Sequence, residues 1–272
     1  MSAAPTITDF HNHLVPGVDD GARDPHDSAA ALGRFRAEGA GQIITTPHFL
    51  GSLSLDRDRC DARLAELDAG WEALRAVVDA DAARMGSAMR VERGVELMLD
   101  VTDPDLSDAR LRLAGGPFAL VEYPALRLPP LNAEFALQGL RARGWIPVVA
   151  HPERYRNLNA SLEELVRFRA AGAFLQVNAA SLFGDYGKTA TGHASRILMA
   201  GEADYVASDY HTRGEPGMHR FVRAMCDAGF SEQAELLTVT NPGRLLVGEP
   251  PLRVPPIRPK TDERSLWQRL FG

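Results

Sequence analysis

The chain has 272 residues, and its 30 Lys and Arg residues against 36 Asp and Glu residues give it a formal net charge of −6. This acidic balance argues against a nucleic-acid-binding protein, because such proteins present a basic surface to the phosphate backbone. The composition, 45% hydrophobic and 24% charged, is typical of a soluble globular protein. The length fits one large α/β barrel of about 250 residues or two smaller domains.

The cysteine content and the absence of long apolar runs indicate the cellular compartment of the protein. Cys60 and Cys226 lie far apart and in no spacing typical of zinc sites or disulfide frameworks, which favours a reducing compartment. No stretch approaches 18 consecutive apolar residues, and the first residues lack the pattern of a signal peptide. We therefore expect a cytoplasmic protein without a transmembrane segment.

Seven short apolar or β-branched runs are predicted to be strands, at residues 6–10, 42–46, 91–95, 118–122, 146–150, 174–178 and 204–208. Segments with helical periodicity lie between most of them. One, at 25–38, has Asp24 as a predicted N-cap, and another, at 162–171, follows Ser161. The gap at 53–89 is predicted to be one amphipathic helix or a pair. This alternation predicts a parallel sheet, either closed or doubly wound.

A proline-rich segment ends the chain. Prolines at positions 250, 251, 255, 256 and 259 are incompatible with regular structure, so we predict one domain over residues 1–248 and an extended tail over 249–272. An amphipathic turn on a membrane surface would use residues near its end: Arg264, Leu266, Trp267, Arg269, Leu270 and Phe271. A segment this short has little helix propensity alone, which favours a disordered tail, or one that packs on the barrel or a neighbouring subunit.

Metal-capable side chains recur at the ends of the predicted strands. Five of the eight histidines lie there: His11, His13, His48, His151 and His211. Four carboxylates occupy comparable positions: Asp20, Glu96, Glu122 and Asp209. In parallel α/β folds the loops after the strands converge on one centre, so these nine side chains are expected to meet in a polynuclear metal site. The other histidines are expected to be structural: His26, His193 and His219.

The residue types narrow the chemistry. Imidazole and carboxylate ligands without a thiolate favour Mn, Zn or Fe, and several divalent ions among four carboxylates suit a phosphate ester dianion. Arg154, three residues after His151, is predicted to bind phosphate oxygens, with a surface salt bridge as the alternative. A cysteine-dependent phosphatase is excluded, because neither Cys60 nor Cys226 begins a Cys-x5-Arg motif.

These motifs resemble the polymerase and histidinol phosphatase (PHP) superfamily, and within it the bacterial capsule and exopolysaccharide tyrosine-protein phosphatases. The most specific is the run from His11 to Gly21, His-Asn-His-Leu-Val-Pro-Gly-Val-Asp-Asp-Gly. The others are Thr45-Thr-Pro-His48, Gly94-Val-Glu96, Val121-Glu122-Tyr123, His151-Pro-Glu-Arg154 and Ala207-Ser-Asp209-Tyr-His211, with weaker similarity over 175–188. The resemblance covers the chain from about residue 6 to residue 248.

The resemblance implies a distorted (β/α)7 barrel in a single domain, with three divalent ions, commonly Mn²⁺, that removes phosphate from phosphotyrosine. The implied ligands of the first ion are His11, His13, Glu96 and Asp209. Those of the second are Glu96, as a bridge, with Glu122 and His151, and those of the third are Asp20, His48 and His211. A metal-bridging hydroxide would be the nucleophile, and Arg154 would stabilise charge on the phosphoryl oxygens. The implied partner is a bacterial tyrosine kinase of polysaccharide export.

Three positions depart from the family pattern or leave a choice open. The pattern places a ligand directly before the last glycine of the first motif, which favours Asp20, although spacing alone admits Asp19. A second phosphate-binding arginine usually comes several residues after the last Asp-x-His, whereas Arg213 comes two residues after His211. Tyr210 fills a position that is often small, so it narrows the pocket or packs on its rim.

Two other functions use the same residues. A small-molecule phosphomonoesterase, such as a histidinol phosphatase, would bind the same ions, and the Pro-Gly-x-Asp-Asp-Gly motif argues against it. A non-enzymatic regulator would keep the metal site for stability, and the full set of nine candidate ligands together with Arg154 argues against that. The sequence therefore predicts a metal-dependent tyrosine phosphatase.

Overall fold

The computed structural model describes residues 6–129, 133–159 and 161–258. Within them nine strands form, and neighbouring strands pair in parallel: β1 (Ile7–Asp9), β2 (Ala40–Thr45), β3 (His48–Leu50), β4 (Arg90–Arg93), β5 (Glu96–Met98), β6 (Phe118–Glu122), β7 (Ile146–Ala150), β8 (Phe174–Asn178) and β9 (Tyr205–Ala207). The same residues form the helices α1 (Pro25–Ala37), α2 (Arg57–Met85), α3 (Glu134–Ala142), α4 (Glu163–Ala170), α5 (Gly187–Ala200), α6 (Met218–Asp227), α7 (Ser231–Glu235) and α8 (Asn241–Leu246). A π-helical segment, Leu236–Thr240, joins α7 to α8, and 3₁₀ turns lie at Gly51–Leu55, Ala109–Leu111, Leu113–Gly115, Pro124–Leu126, Pro152–Arg154 and Ala180–Phe183.

The seven predicted strands are present, and two of them are followed by a second short strand. The chain passes from β2 to β3 and from β4 to β5 through short breaks that lie side by side. Pro47 has no N–H for the ladder, and backbone hydrogen bonds run here from Gly94 N to Thr45 O (2.9 Å) and from Glu96 N to Pro47 O (3.0 Å). Beyond the breaks, His48 and Glu96 are register partners at the start of β3 and β5.

Across the two sheets, neighbouring strands follow one another in the order of the chain. One sheet has the order β1-β2-β4 and the other β3-β5-β6-β7-β8-β9, and β3 and β5 continue β2 and β4. The end of β9 returns to the end of β1 through a parallel bridge between Asn12 and Tyr210. Two hydrogen bonds reinforce this bridge, from Asp209 N to His11 O (2.7 Å) and from His13 N to Tyr210 O (2.9 Å). This arrangement of parallel strands and helices confirms the predicted α/β fold class. The distortion predicted for the barrel corresponds to the division of its strands into two sheets.

Alternating side chains along the strands build two layers of core. Leu120 and Val148 belong to one buried cluster, together with Phe10, Ile44, Phe118, Ala150, Tyr205 and Ala207. Their neighbours Val121 and Val149 belong to a second cluster that includes helix residues such as Leu137. This alternation follows from the two-residue period of a strand. The strand ends that carry the candidate ligands therefore stand on a packed apolar support.

The helix predictions agree with the structure at the beginning of the chain. Asp24 caps α1 by accepting a hydrogen bond from a first-turn N–H at 2.9 Å. The gap at 53–89 contains one long helix, α2, which ends at Gly86 in the left-handed region (φ +70°). Ser161 does not cap α4, because that helix begins after Leu162, which is itself left-handed.

No helix of the described residues combines the length and the apolarity that crossing a membrane requires.

The proline-rich segment packs against the domain in its described part. It has no regular secondary structure, as the prolines predict, but Val254 and Ile257 are buried in the larger core cluster. The Asn241 side chain donates to Leu252 O (3.0 Å) and accepts from Leu252 N (2.8 Å). The packed chain therefore extends beyond the predicted domain boundary at residue 248. The amphipathic turn predicted at 264–271 lies outside the described residues.

Candidate metal centre

His11 and His13 follow β1 and share one group of candidate ligands, as their two-residue spacing predicts. Asn12, between them, instead donates to Asp9 Oδ2 at 2.9 Å. The two carboxylate oxygens of Asp9 also accept hydrogen bonds from Ser208 N (2.7 Å) and Ser208 Oγ (2.8 Å). The Asp9 carboxylate therefore ties β1 to the end of β9, where the last candidate ligands lie.

The first group contains His11, His13, Glu96 and Asp209, all buried. His11 Nε2 lies 3.2 Å from Glu96 Oε2 and 3.3 Å from Asp209 Oδ1. His13 Nε2 lies 3.4 Å and 3.5 Å from the same two oxygens. Within the described residues, His11 Nε2, His13 Nε2 and Glu96 Oε2 are buried without a hydrogen-bond partner. Buried polar atoms without partners are costly, so a divalent cation among them fits this donor set.

Two histidines share a pair of carboxylates in the second group. His48 Nδ1 lies 3.1 Å from Glu96 Oε2 and 3.6 Å from Glu122 Oε1. His151 Nε2 lies 2.9 Å from Glu96 Oε1 and 3.9 Å from Glu122 Oε2. Each oxygen of Glu96 therefore faces a different part of the cluster, which is the geometry that a bridging carboxylate requires.

The third group lies at the solvent side of the cluster. Asp20 Oδ1 is 3.4 Å from His48 Nε2 and 3.3 Å from His211 Nε2, and the Asp20 side chain is 62% exposed. The His13 ring stacks on the His211 ring with centroids 3.9 Å apart, which joins this group to the first. All nine residues predicted as ligands thus lie in one continuous cluster.

Hydrogen bonds orient three of the imidazoles. Nδ1 lies 2.9 Å from Gln176 Oε1 in His11, 2.7 Å from Asp19 Oδ2 in His13 and 2.8 Å from a backbone carbonyl in His211. Because these oxygens accept hydrogen bonds, each Nδ1 is a donor and Nε2 is left as the nitrogen for a metal ion. This is the arrangement found around metal-binding histidines in general.

The two adjacent aspartates differ in their surroundings. The Asp19 carboxylate accepts from His13 Nδ1 (2.7 Å), Gly21 N (3.0 Å) and His48 N (3.2 Å). Burial alone would raise the pKa of Asp19, but the hydrogen bond and charge of His13 lower it to about 2. Asp20 instead faces two imidazole Nε2 atoms. The geometry favours Asp20 as a ligand and Asp19 as the residue that holds His13.

Two glycines of the same loop are required by its backbone. Gly17 has φ +73°, in the left-handed region that favours glycine. A Cβ atom on Gly21 would lie 2.1 Å from His13 O and 2.4 Å from His13 Cβ. The Pro-Gly-x-Asp-Asp-Gly motif therefore encodes a loop that folds back closely onto His13.

The charges of the cluster attract cations. Burial acts to raise the pKa of Glu96, but the positive charge of His11 and the hydrogen bond with His151 hold it well below its usual range. Burial acts to lower the pKa of His11, yet Glu96 and Asp209 raise it to about 9. Burial and the charge of Glu96 raise the pKa of Glu122 to about 8. Protons and divalent cations therefore compete for the same atoms.

Two candidate ligands lie at left-handed backbone positions that non-glycine residues rarely adopt. His151 has φ +32° and Asp209 has φ +54°. Such conformations cost about 1–3 kcal/mol each and persist where the surrounding structure enforces them, typically at functional sites. They direct the side chains of these strand-end residues into the cluster.

A cavity of about 330 Å³ opens beside the cluster, and its lining includes Asp20, Arg154, Tyr186, Asp209, His211 and Arg213. Arg154 Nη1 donates to Asp209 Oδ2, and the guanidinium carbon lies 4.2 Å from the centroid of the Tyr186 ring. Arg213 is exposed, with Nη2 3.5 Å from Asp20 O. Arg154 is therefore built into the site, while Arg213 lies at its rim.

Tyr210 is packed against α1 beside the cavity. It is 3% exposed, and its ring meets Phe35 of α1 edge to face. Its hydroxyl accepts from Arg34 Nη1 (2.7 Å) and donates to Gly214 O (3.0 Å). Tyr210 also belongs to the lining of the cavity, so the structure agrees with both roles predicted for this residue.

Three residues that contact the ligands or support such contacts were not predicted as site residues from the sequence. Gln176 Nε2 donates to Asn178 Oδ1 (2.8 Å), and Asn178 Nδ2 donates to Asp209 Oδ2 (2.7 Å). Their signal is a pair of polar residues two apart in an apolar strand. Glu153 Oε1 accepts from Asn178 N (2.9 Å) and Ser181 Oγ (2.7 Å), and burial raises its pKa to about 7. No local pattern indicates that role.

Comparison with known proteins identifies the family. A family model described as "Capsular polysaccharide synthesis, CpsB/CapC" matches residues 7–247. The tyrosine-protein phosphatase YwqE of Bacillus subtilis is 28% identical over 260 residues, covering 92% of this chain and 95% of that protein. The tyrosine-protein phosphatase CpsB of Streptococcus agalactiae is 25% identical over 252 residues, covering 88% of this chain and 98% of that protein.

A solved structure agrees with these matches. A chain from the crystal structures of YwqE from Bacillus subtilis and CpsB from Streptococcus pneumoniae, which are metal-dependent tyrosine phosphatases, superimposes with a TM-score of 0.71 and 26% identity. The match covers 93% of this chain and 100% of that chain. Because the family model spans nearly all of the described residues, this protein belongs to the CpsB/CapC family of capsular polysaccharide synthesis proteins.

Proposed function

We propose that this protein is a metal-dependent protein-tyrosine phosphatase. The observation that carries the proposal is the cluster of buried imidazole and carboxylate atoms that lack hydrogen-bond partners within the described residues, beside an arginine-lined cavity. Family relatives that match most of this chain, YwqE and CpsB, are tyrosine-protein phosphatases. A cationic centre of this kind suits the dianion of a phosphate monoester.

Three divalent ions are proposed. Imidazole and carboxylate ligands without a thiolate suit Mn, Fe or Zn, and the family resemblance favours Mn²⁺. The proposed ligands of the first ion are His11, His13, Glu96 and Asp209. Those of the second are Glu96, Glu122 and His151, and those of the third are Asp20, His48 and His211. Because His48 Nδ1 approaches Glu96 and Glu122, this residue is an alternative ligand for the second ion in place of the third.

The bound ions would supply Lewis acidity toward the phosphoryl oxygens and a nucleophile derived from water near neutral pH. The protein side chains supply orientation and charge. Arg154 is held by Asp209 and Tyr186, and within the described residues its remaining N–H groups form no hydrogen bonds, so they can donate to the phosphoryl oxygens. Arg213 is proposed as a second phosphate contact from the rim. Gln176 Oε1 orients the His11 imidazole by accepting a hydrogen bond from Nδ1.

The test separates metal chemistry from thiol chemistry. Turnover of a phosphotyrosine peptide is measured for chelated protein, for protein reloaded with Mn²⁺, and for the Cys60→Ser/Cys226→Ser double variant. We expect chelation to abolish turnover, Mn²⁺ to restore it and the double variant to keep it, because Cys60 lies in α2 and Cys226 is exposed on α6, both outside the cluster. Activity that survives chelation, or that disappears in a folded double variant, contradicts the proposal.

The physiological partner is proposed from the resemblance and the family description. A bacterial tyrosine kinase of polysaccharide export, acting in the cytoplasm, would present phosphotyrosine to the cavity, and the tail beyond residue 258 would contact the membrane beside it. Assay of histidinol phosphate alongside the peptide distinguishes the small-molecule alternative. A higher kcat/KM for histidinol phosphate would favour that alternative.

A further inference from the structure

Tyr186 contributes aromatic surface to a cavity whose lining also contains several charged groups. The charged residues of its lining include Asp20, Arg154, Asp185, Asp209, Arg213 and Glu215. Carbon surface comes from Tyr186, Ala180 and Pro216, and from Tyr210, which is only 3% exposed. The cavity therefore joins the metal-ligand cluster at one part of its lining to an apolar wall at another.

The Tyr186 ring is fixed on one side and open on another. Arg154 lies over the ring, with its guanidinium carbon 4.2 Å from the centroid, and the residue is still 37% exposed. Arg154 is itself anchored by its hydrogen bond to Asp209. The ring thus has a defined position relative to the group that is proposed to bind phosphate.

The backbone turns sharply on both sides of this ring. Gly184 (φ +91°) and Gly187 (φ +86°) bracket the segment in the left-handed region, between a 3₁₀ turn and the start of α5. Such conformations strain residues with a Cβ atom, so the two glycines allow a tight reversal here. The reversal carries Tyr186 to the cavity instead of continuing into the helix.

We propose that Tyr186 is a specificity-determining residue that contacts the aromatic ring of phosphotyrosine while Arg154 contacts its phosphate. The inference rests on the proposed function and extends it to the selection of aryl over alkyl phosphates. Two aromatic rings in stacked or edge-to-face contact gain energy beyond their buried area. Phosphoserine and phosphothreonine have no ring and make no such contact, so the wall favours phosphotyrosine without any change at the metal centre.

The test uses two non-hydrolysable ligands, phenylphosphonate and methylphosphonate, which share a phosphonate group and differ in the ring. Their dissociation constants are measured by calorimetry on the metal-loaded protein, for wild type, Tyr186→Leu and Tyr186→Phe. We expect Tyr186→Leu to weaken phenylphosphonate by about twofold to tenfold and to leave methylphosphonate unchanged. Tyr186→Phe should bind both as wild type does, because it retains the ring. Phe135→Ala, which removes an exposed aromatic side chain outside this lining, is the matched control.

Two results overturn the proposal. Equal weakening of both ligands in Tyr186→Leu would mean that Tyr186 acts only by positioning Arg154, and unchanged binding of both would mean that the aryl ring lies elsewhere. A parallel measurement compares kcat/KM for phosphotyrosine and phosphoserine peptides. The ratio of the phosphotyrosine value to the phosphoserine value should fall in Tyr186→Leu by the same factor as the affinity for phenylphosphonate. Because ligand binding needs no turnover, the result for Tyr186 stands even if the protein fails to hydrolyse phosphotyrosine, which would contradict the proposed function separately.

Discussion

Glu96 is the residue through which the candidate ligand groups are connected. Its Oε2 atom lies within 3.4 Å of nitrogens of His11, His13 and His48, and its Oε1 atom lies 2.9 Å from His151 Nε2. A carboxylate surrounded by four imidazoles is stabilised as an anion, which is why its pKa lies well below the usual range. One side chain therefore sets the relative positions of ligands from three different loops.

Replacement of Asp19 and of Asp20 should have different consequences. Asp20→Ala removes an exposed ligand, so we expect loss of one ion per chain with little loss of stability. Asp19→Ala leaves three buried or partly buried N–H groups without an acceptor, so we expect a loss of about 1–3 kcal/mol in unfolding free energy and a decrease of about 10–100-fold in metal affinity. Metal content and denaturation of the two variants check this. If both variants lost the same metal content and the same stability, the assignment of Asp20 as a ligand and of Asp19 as the acceptor for His13 would be wrong.

Arg154→Ala should lower turnover of a phosphotyrosine peptide by about 10² or more, as loss of a charge-stabilising donor does elsewhere. Bound metal should be unchanged, because Asp209 Oδ2 keeps its hydrogen bond from Asn178 Nδ2. Arg223→Ala, which removes an exposed arginine of α6, is the matched control. Near-normal turnover of a folded, metal-loaded Arg154→Ala protein would remove this residue from the mechanism.

The sequence identifies ligands more readily than the residues that orient them. His13 and Glu96 stand out because a metal-capable side chain at a strand end has few structural roles. Gln176 does not stand out, since its contact with His11 joins residues 165 apart, and no local pattern encodes it. Asp19 is recognisable as a candidate but not as a hydrogen-bond acceptor for His13, because that role depends on how the loop folds back.

At the scale of elements, the paired breaks in β2/β3 and β4/β5 are the main feature that periodicity misses. Residues 42–50 have the apolar pattern of one continuous strand, and within them only Pro47 indicates that the strand is interrupted. The matching break before Glu96 is set by hydrogen bonding to the neighbouring strand, which is a tertiary effect. The strands themselves were predictable because they are apolar, short and separated by helical segments.

Gly21→Ala should disrupt the loop that carries Asp19 and Asp20. The added Cβ would overlap His13 backbone atoms, so either the loop or the His13 imidazole must shift. We expect lower metal occupancy and a lower melting temperature. Gly33→Ala, in the middle of α1 where an added Cβ would meet open space, should instead be neutral or stabilising because alanine favours helix over glycine. Equal effects of the two substitutions would contradict the close-approach explanation.

At the scale of the molecule, the described part of the proline-rich segment belongs to the packed structure. Truncation after residue 248 removes Val254 and Ile257 from the core and should cost about 3–6 kcal/mol in unfolding free energy. Truncation after residue 258 should leave stability and hydrolysis of a small aryl phosphate unchanged, and should reduce sedimentation with anionic liposomes. Equal sedimentation of the full chain and the 258-residue form would leave the tail without a membrane role.

The bridge between Asn12 and Tyr210 has a consequence for the order in which a newly made chain gains its activity. Ligands from the first strand and from the last strand meet there, so most of the polypeptide must be synthesised before the first metal group is complete. A nascent chain that has exposed His11 and His13 lacks Asp209 and His211 until the final strand leaves the ribosome. Completion of the first and third ligand groups is therefore a late event in biogenesis, and chains that terminate early contain only part of the ligand set.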